Sequence, residues 1–341
     1  MQSAEPQQPA SARQPLLRVM TWNVLTGGWP RREAIASAIR EARPDIVGMA
    51  EIEERTLNDL AARLDMRPLF GASGGKRGSR VGLLSRWPLQ PGPSHVNAPL
   101  HNAMLEAVVT PPDAPTARVF VAHLTADYYT WRAGEGQRLR ELRYILARMS
   151  QARNEGDEPH LLMGDFNSLA PDEPLLASRM LLRAAELDDQ RAQGVSLDGL
   201  PGIDKVLPAP LVPLGRALTR LAGWRPAAAA LDAVTGAYVP RAVIAEARAA
   251  GLVDLAAAAQ PIPRQRMLTC PSDVPAGRID YIFASPALAK TLIACEALAT
   301  PTVYAASDHR PVLATLAPVG VTRAAPPFMA ELDEAPMDVA G

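Results

Sequence analysis

Short apolar runs and helical spacings alternate along the chain. Residues 17–22 (LRVMTW) are a β-capable run and predict a first strand. Ile35, Ala38, Ile39 and Ala42 recur at helical spacing between Pro30, where a helix can open, and Pro44, which stops it. Residues 45–51 then read as an apolar strand ending in charge, and a second helix is expected over 56–64. Further strands are predicted at 80–84, 103–109, 118–124, 160–163, 279–283, 292–298 and 312–316. A long amphipathic helix over 134–149 carries Leu139, Leu142, Ile145, Leu146 and Met149 on one face. Strands of this length, separated by a few helices without strict strand–helix alternation, predict an α/β sandwich with helices outside.

Composition adds limits. The chain has 341 residues, 48 % hydrophobic, enough for a sizeable core. Lys plus Arg number 35 against 36 Asp plus Glu, a net charge of -1, which excludes a protein held on nucleic acid by bulk charge. A local rim remains open to that role: Arg31 and Arg32, with Lys76, Arg77 and Arg80 around a glycine-rich loop, could follow phosphates, and Trp29, Tyr128, Tyr129 and Trp131 could stack. The two cysteines, Cys270 and Cys295, form neither a disulfide framework nor a zinc cluster, and read as buried apolar residues. The start lacks a signal-peptide pattern, and no apolar run reaches the length of a membrane span, so a cytoplasmic protein without a transmembrane segment is expected. Nothing calls for an obligate protein partner.

Residues 1–15 read as a tail, 16–320 as the catalytic domain, and 321–341 as an acidic tail. Within the domain, 188–268 reads as an inserted helical segment of about two helices. There Leu214, Ala217, Leu221 and Trp224 form a stripe that predicts packing on the parent domain. The alternative is a lid or interfacial helix over 203–235, beside the site.

Chemistry concentrates where strands end. Asn23, Glu51, His123, Asp165 with Asn167, Asp280, and Asp308 with His309 all follow or open apolar runs. One such residue makes a turn or a cap. Six strand ends delivering acids, amides and histidines to one sheet edge would make a pocket whose carboxylates need a cation or a shared proton. With oxygen ligands dominant and no cysteine nearby, that cation should be hard, Mg²⁺ first and Mn²⁺ second. Asp280, inside an apolar run, needs a donor, and an imidazole would serve. In Asp165-Phe166-Asn167 the two polar side chains share one side and Phe166 turns into the core.

The segments MTWNVLTG (20–27), PDIVGMAEIE (44–53), SRVGLLSRWPL (79–89), VFVAHLTA (119–126), LLMGDFNSL (161–169), RIDYIFAS (278–285) and ASDHRPVLATL (306–316) together resemble the endonuclease/exonuclease/phosphatase superfamily. That group includes pancreatic deoxyribonuclease, abasic-site endonucleases, inositol-polyphosphate 5-phosphatases and bacterial sphingomyelinases. The resemblance implies a four-layered α/β sandwich, two mixed β-sheets face to face with helices outside. It implies Glu51 as the principal metal carboxylate, with Asn23 and Asp308 completing the metal and phosphate surroundings. Asp165 would align or deprotonate the attacking water and Asn167 would hold a phosphate oxygen. His309 would contact the scissile phosphate with Asp280 behind its ring, and His123 would reach it from the other side. The chain departs from the family pattern in AHL at 122–124, where THL is usual, and in MAE at 49–51, where LQE is usual. Both departures leave the functional side chain in place.

The expected activity is metal-dependent hydrolysis of phosphate esters by in-line attack of water, foremost by a phosphodiesterase or endonuclease acting on DNA or RNA. The alternative is a phosphomonoesterase, or a phosphodiesterase of a lipid or small molecule. A binding protein on a catalytically silent fold is the reading from a different class, and the completeness of the polar set argues against it.

Overall fold

The computed structural model describes residues 16–71, 80–96, 98–112, 116–126, 132–156, 159–195, 200, 202–206, 212–259 and 267–317. Both expected tails, together with Lys76, Arg77, Tyr128, Tyr129 and Trp131, lie outside the described residues. In chain order the elements are β1 (Leu17–Gly27), α1 (Arg32–Ala42), β2 (Ile46–Ile52), α2 (Glu54–Leu64), β3 (Arg67–Gly71), β4 (Val81–Ser85), β5 (Leu89–Pro91), β6 (Met104–Val109), β7 (Ala117–His123), α3 (Arg132–Glu155) and β8 (His160–Asp165). There follow α4 (Ala177–Ala192), α5 (Ile203–Val206), α6 (Val212–Ala222), α7 (Arg225–Tyr238), α8 (Ala242–Ala249), β9 (Val253–Asp254), α9 (Leu255–Ala258), β10 (Asp280–Ala284), α10 (Pro286–Ala289), β11 (Leu292–Ala297), α11 (Pro301–Ala306) and β12 (Val312–Leu316).

The strands form two mixed sheets, ordered β11-β12-β1-β2-β4-β3 and β5-β6-β7-β8-β10-β9. Each has one parallel pair at its centre, β1 with β2 and β7 with β8, and antiparallel pairs elsewhere. Alternation along each strand sorts its side chains into two cores. Val19, Ile46, Val81 and Leu83 of the first sheet meet Val119, Val121, Leu161, Met163 and Ile282 of the second. Met20, Trp22, Val47 and Met49 face α1, α2 and α11, while Phe120, Leu162, Tyr281 and Phe283 face α3 and α8. The result is the four-layered sandwich. At Gly48 the sheets approach so closely that a Cβ would stand 2.6 Å from the Met163 sulfur.

Three features depart from expectation. The third helix continues past Met149 to Glu155, because ion pairs extend the packing where the apolar period ends: Arg148 binds Glu106 (2.7 Å) and Glu155 (2.7 Å). The edge strands β3, β5 and β9 had no periodic signal; two of them contain proline, which suits edges. The inserted segment holds more than two helices, and α6 and α7 pack on α4 around Leu181, Ala184, Ile203, Val212, Leu218 and Leu231. Among the described residues no helix is long and apolar enough to cross a membrane.

Candidate active site

The pocket is the last layer of the core between the sheets. Inward rows run Val19–Asn23 on β1, Val119–Val121–His123 on β7, Leu161–Met163–Asp165 on β8 and Ala284–Ile282–Asp280 on β10. The β7, β8 and β10 rows are apolar through the sandwich and turn polar at the same end, while the β1 row carries the buried Thr21 between Val19 and Asn23. Register makes this exact neighbourhood: His123 pairs with Asp165, and Asp165 with Asp280. Because β12 runs antiparallel to β1, the segment leading into it brings Asp308 and His309 to that end as well.

Glu51 is the exception to alternation. By period two it would follow Val47 and Met49 to the helix side, but its φ of 58° is left-handed and breaks the row. Leu25 (54°), Thr26 (49°) and Asn167 (47°) share that conformation, so backbone strain gathers around the pocket, as it does at sites held by their surroundings. Gly164 accounts for one glycine of the GDFN segment. Its φ is 144°, and a Cβ there would run into the Ala122 carbonyl oxygen.

The polar side chains form one connected set. Asn23 Nδ2 donates to Glu51 Oε1 (3.1 Å) and Asp165 Oδ2 (3.0 Å), while Asn23 Oδ1 accepts the Leu25 N–H (2.9 Å). The Thr26 N–H donates to Glu51 Oε2 (2.8 Å). Asp165 Oδ1 accepts the Asn167 N–H (2.8 Å), and Asn167 Nδ2 donates to Leu124 O (2.9 Å) and faces His123 Nε2 (3.2 Å). His309 Nδ1 meets Asp280 Oδ2 at 2.8 Å, and its Nε2 looks toward Asp165 Oδ2 at 4.0 Å. Ser307 Oγ donates to Asn23 O (2.6 Å) and accepts the His309 N–H (3.1 Å), locking the last segment against the first strand. Asn23 therefore bridges Glu51 and Asp165. Its Oδ1, which holds the Leu25 N–H, keeps a second lone pair facing the same surroundings as Glu51.

Burial and mutual charge set the proton affinities. Burial, with the Asp280 charge added, raises Asp165 to about 6. Burial also raises Asp308, and the Glu51 charge adds to it. Burial works against ionised Glu51 too, but His123, the Thr26 N–H and Asn23 outweigh it and hold the carboxyl below its usual value. Burial opposes charge on His309, yet Asp280 overcomes this and raises the imidazole well above its ordinary range. Among the described residues, Asp280 Oδ1 and His123 Nδ1 are buried without a hydrogen-bond partner. No Lys or Arg among them pairs with Glu51, Asp165, Asp280 or Asp308. Four carboxyls converging with two imidazoles and no lysine or arginine fit a bound cation, and their oxygens suit a hard one. Two groups offer ligand atoms within 4.8 Å of one another: Asp165, Asp280 and His309, and Cys270, Asp308 and His309.

Residues 20–309 match the Endonuclease/Exonuclease/phosphatase family. The chain belongs to that family. No curated protein matches it closely enough to extend the assignment. Solved structures share the fold at low identity. An AP endonuclease from Archaeoglobus fulgidus is 16 % identical with a TM-score of 0.53, over 88 % of this chain and 99 % of that one. A 3′ phosphatase, NExo from Neisseria, bound to product DNA hairpin, is 17 % identical with a TM-score of 0.54, over 88 % and 99 %. An endonuclease/exonuclease/phosphatase from Beutenbergia cavernae is 18 % identical with a TM-score of 0.51, over 89 % and 72 %.

For a member of the Endonuclease/Exonuclease/phosphatase family, the rim differs from the sequence expectation. Arg31 turns inward: Nε donates to Ala306 O (2.8 Å) and Nη2 to Val24 O (2.9 Å) and Leu25 O. Arg32 donates to Trp29 O (3.1 Å) and pairs with Asp59 (3.7 Å). The Trp29 ring is met by the guanidinium groups of Arg32 (4.5 Å) and Arg55 (4.8 Å). These groups shape the loop behind Glu51, which leaves Arg80, set over Phe70, as the described member of the expected rim.

Sequence reasoning also missed residues that hold the family site together. Arg278 is fully buried and grips Asp254 (2.9 and 2.7 Å) and Glu173 (3.1 Å), fixing the chain on both sides of Asp280. Its apolar neighbours hid it. Thr269 Oγ1 accepts the N–H groups of Ile279 (3.1 Å) and Asp280 (3.4 Å). Cys270 is part-buried at the pocket edge, against the expectation of two core cysteines; only Cys295 lies in the core. Burial pushes the Cys270 thiol up to about 11. The stripe of Leu214, Ala217, Leu221 and Trp224 faces outward, with Trp224 64 % exposed, so the expectation of core packing fails. On the opposite side Val212 and Leu218 meet α4 instead, and Gly215 and Ala222 are buried. The helix α4, on which α6 and α7 pack, is tied to the turn after Cys270 through Arg183 and Asp273 (2.6 Å) and Arg179 and Pro275 O (3.1 Å).

Proposed function

We propose that the chain is a divalent-metal-dependent phosphodiesterase, Mg²⁺ or Mn²⁺ serving, that attacks its ester in line with water. The connected set running from Glu51 through Asn23 to Asp165, faced by the Asp280–His309 pair, carries this reading. Glu51 and Asp308 would hold the metal, and the bound ion supplies charge to the nonbridging phosphate oxygens. Asp165, ionised above about 6, takes the proton of the attacking water. His309, charged at neutral pH with Nδ1 fixed by Asp280, donates from Nε2 to the phosphate. Asn167 and His123 close the pocket from the second sheet and hold a phosphate oxygen.

Nucleic acid is the first substrate class in this reading, because one protein of similar fold is named an AP endonuclease and another is a 3′ phosphatase bound to product DNA hairpin. One observation favours a second reading, a lipid-borne phosphodiester. The outward stripe of α6 carries Arg216 and Arg220 beside Leu214, Leu221 and Trp224, a mixture suited to an anionic membrane surface. A substrate panel separates the two. Supercoiled plasmid, single-stranded DNA, bis(p-nitrophenyl) phosphate, p-nitrophenyl phosphate and a phospholipid in anionic vesicles are each incubated with Mg²⁺ and with Mn²⁺. Preferred cleavage of the nucleic acids supports the first reading, and of the vesicle lipid the second. Hydrolysis of the monoester alone refutes the diesterase reading.

A further inference from the structure

Cys270 has no part in the hydrolytic scheme, yet the backbone fixes it against two residues that do. Its own turn is closed by backbone bonds: Cys270 N–H to Gly277 O (3.0 Å) and Ala276 N–H to Cys270 O (2.9 Å). The turn is then stitched to the segment around His309. Arg310 N–H donates to Thr269 O (2.7 Å), Ser272 Oγ to Ser307 O (2.7 Å), and Arg310 Nε to Ser272 O (2.5 Å). The closeness of Cys270, Asp308 and His309 thus follows from main-chain geometry on both sides, which is how a site is preorganised. No cysteine was expected beside the strand-end acids, so a donor set of oxygens alone understates what the pocket offers.

We propose that Cys270, Asp308 and His309 form a site for a thiophilic divalent cation, zinc first, whose occupation inhibits hydrolysis. One sulfur, one nitrogen and one oxygen, with ligand atoms within 4.8 Å of one another, make three protein ligands and leave a fourth position open. Zinc bonds of the usual length place tetrahedral ligand atoms roughly 3.3–3.8 Å apart, so small side-chain rotations close the set. His309 Nδ1 is already held by Asp280 at 2.8 Å, which leaves Nε2 as the ligating nitrogen. A carboxylate behind the ring is the usual support for a histidine that binds zinc. Cys270 and Asp308 are part-exposed, so the ion can enter. As the zinc–sulfur bond forms, the thiol proton leaves to solvent. Inhibition follows because Nε2 can no longer reach the phosphate and Asp308 is diverted; this half rests on the hydrolase reading, and the binding half does not.

The test uses the full chain stripped of metal and titrated with Co²⁺ as a spectroscopic stand-in for Zn²⁺. A thiolate-to-cobalt charge-transfer band should grow to one equivalent, vanish on adding Zn²⁺, and be absent from Cys270→Ser and Cys270→Ala. Zinc affinity, measured by competition with a chromophoric chelator, should fall at least about ten-fold in Cys270→Ser. Zinc should protect Cys270 from iodoacetamide, while core Cys295 stays unlabelled throughout. With Mg²⁺ alone, Cys270→Ser should keep its turnover and lose zinc inhibition. No thiolate band, or a band and affinity unchanged in folded Cys270 variants, overturns the site. Cobalt bound through Cys270 in a protein that cleaves no phosphate ester supports the site and overturns the hydrolase reading. Zinc bound through Cys270 without loss of turnover overturns the inhibition.

Discussion

Asp280→Asn removes the charge behind His309 with little change of shape. Asp280 is fully buried, its N–H is held by Thr269, and Oδ2 meets His309 Nδ1 at 2.8 Å. Oδ1 has no hydrogen-bond partner among the described residues, so nothing forces the new amide to present its NH₂ to the ring. Its oxygen can still accept from Nδ1, and the tautomer survives. The loss is then that of a charge-assisted hydrogen bond, about 1.5–3 kcal/mol, or roughly 10–100-fold in kcat/KM. A tautomer inversion would cost far more, about 10⁴-fold. The pH profile gives a second, independent readout. The proposed mechanism needs Asp165 ionised and His309 charged, so the rate should rise through the Asp165 value of about 6 and fall above the raised His309 value. Asp280 raises both groups, hence its neutralisation moves both limbs to lower pH. The assay is kcat/KM for bis(p-nitrophenyl) phosphate against pH at saturating Mg²⁺, with circular dichroism to check the fold. Unchanged turnover, or an acid limb that moves upward, refutes the assignment.

Three further outcomes follow from the geometry. Gly164→Ala sets a side chain against the Ala122 carbonyl at a φ of 144°, and should cost several kcal/mol of unfolding free energy, read as a lower urea midpoint, or prevent folding; a wild-type midpoint refutes the close approach. Glu106 is held down to about 2: burial opposes its charge, but His95, Arg148 and Arg118 outweigh that cost. Its contribution of about 3 kcal/mol is therefore complete above its unfolded value of 4.5 and lost as pH falls toward 2. Urea unfolding of Glu106→Gln should show a weaker acid dependence than the parent between pH 6 and pH 3. Arg278→Met takes the guanidinium from buried Glu173 and leaves Asp254 with Arg248 (2.8 Å), and should cost about 3 kcal/mol in thermal or urea unfolding; a loss below about 1 kcal/mol would contradict the anchoring role.

How much of this was legible beforehand depended on periodicity. The rows ending in Asn23, His123, Asp165 and Asp280 alternate strictly, so their polar ends could be seen to share a side once the strands were placed. The GDFN, RIDYI and SDHR segments fixed the order. Glu51 was legible through its segment and not through its row, because a left-handed φ breaks the alternation. Arg31 and Arg32 misled because charge in sequence says nothing of where a guanidinium finds acceptors, and here these are nearby carbonyls. On α6 two apolar stripes of similar spacing exist, and only the position of α4 decides which is covered. Cys270 was hidden for a related reason. Its place beside Asp308 and His309 comes from cross-chain bonds between 269–277 and 307–310 that no local pattern encodes.

The central claim is that one pocket, centred on Glu51, hydrolyses phosphate esters with a bound divalent metal. The most direct measurement is turnover of bis(p-nitrophenyl) phosphate by the parent chain and by Glu51→Gln across a Mg²⁺ titration beginning in chelator. Glu51 is held ionised below its usual range, so its neutral amide would remove the charge proposed to hold the metal while keeping the contact to Asn23 available. The parent should be silent in chelator and rise to saturation with Mg²⁺. Glu51→Gln should need far more metal and reach a rate at least about 100-fold lower. Activity that persists in chelator, or a folded Glu51→Gln that follows the parent's metal curve, would contradict the account.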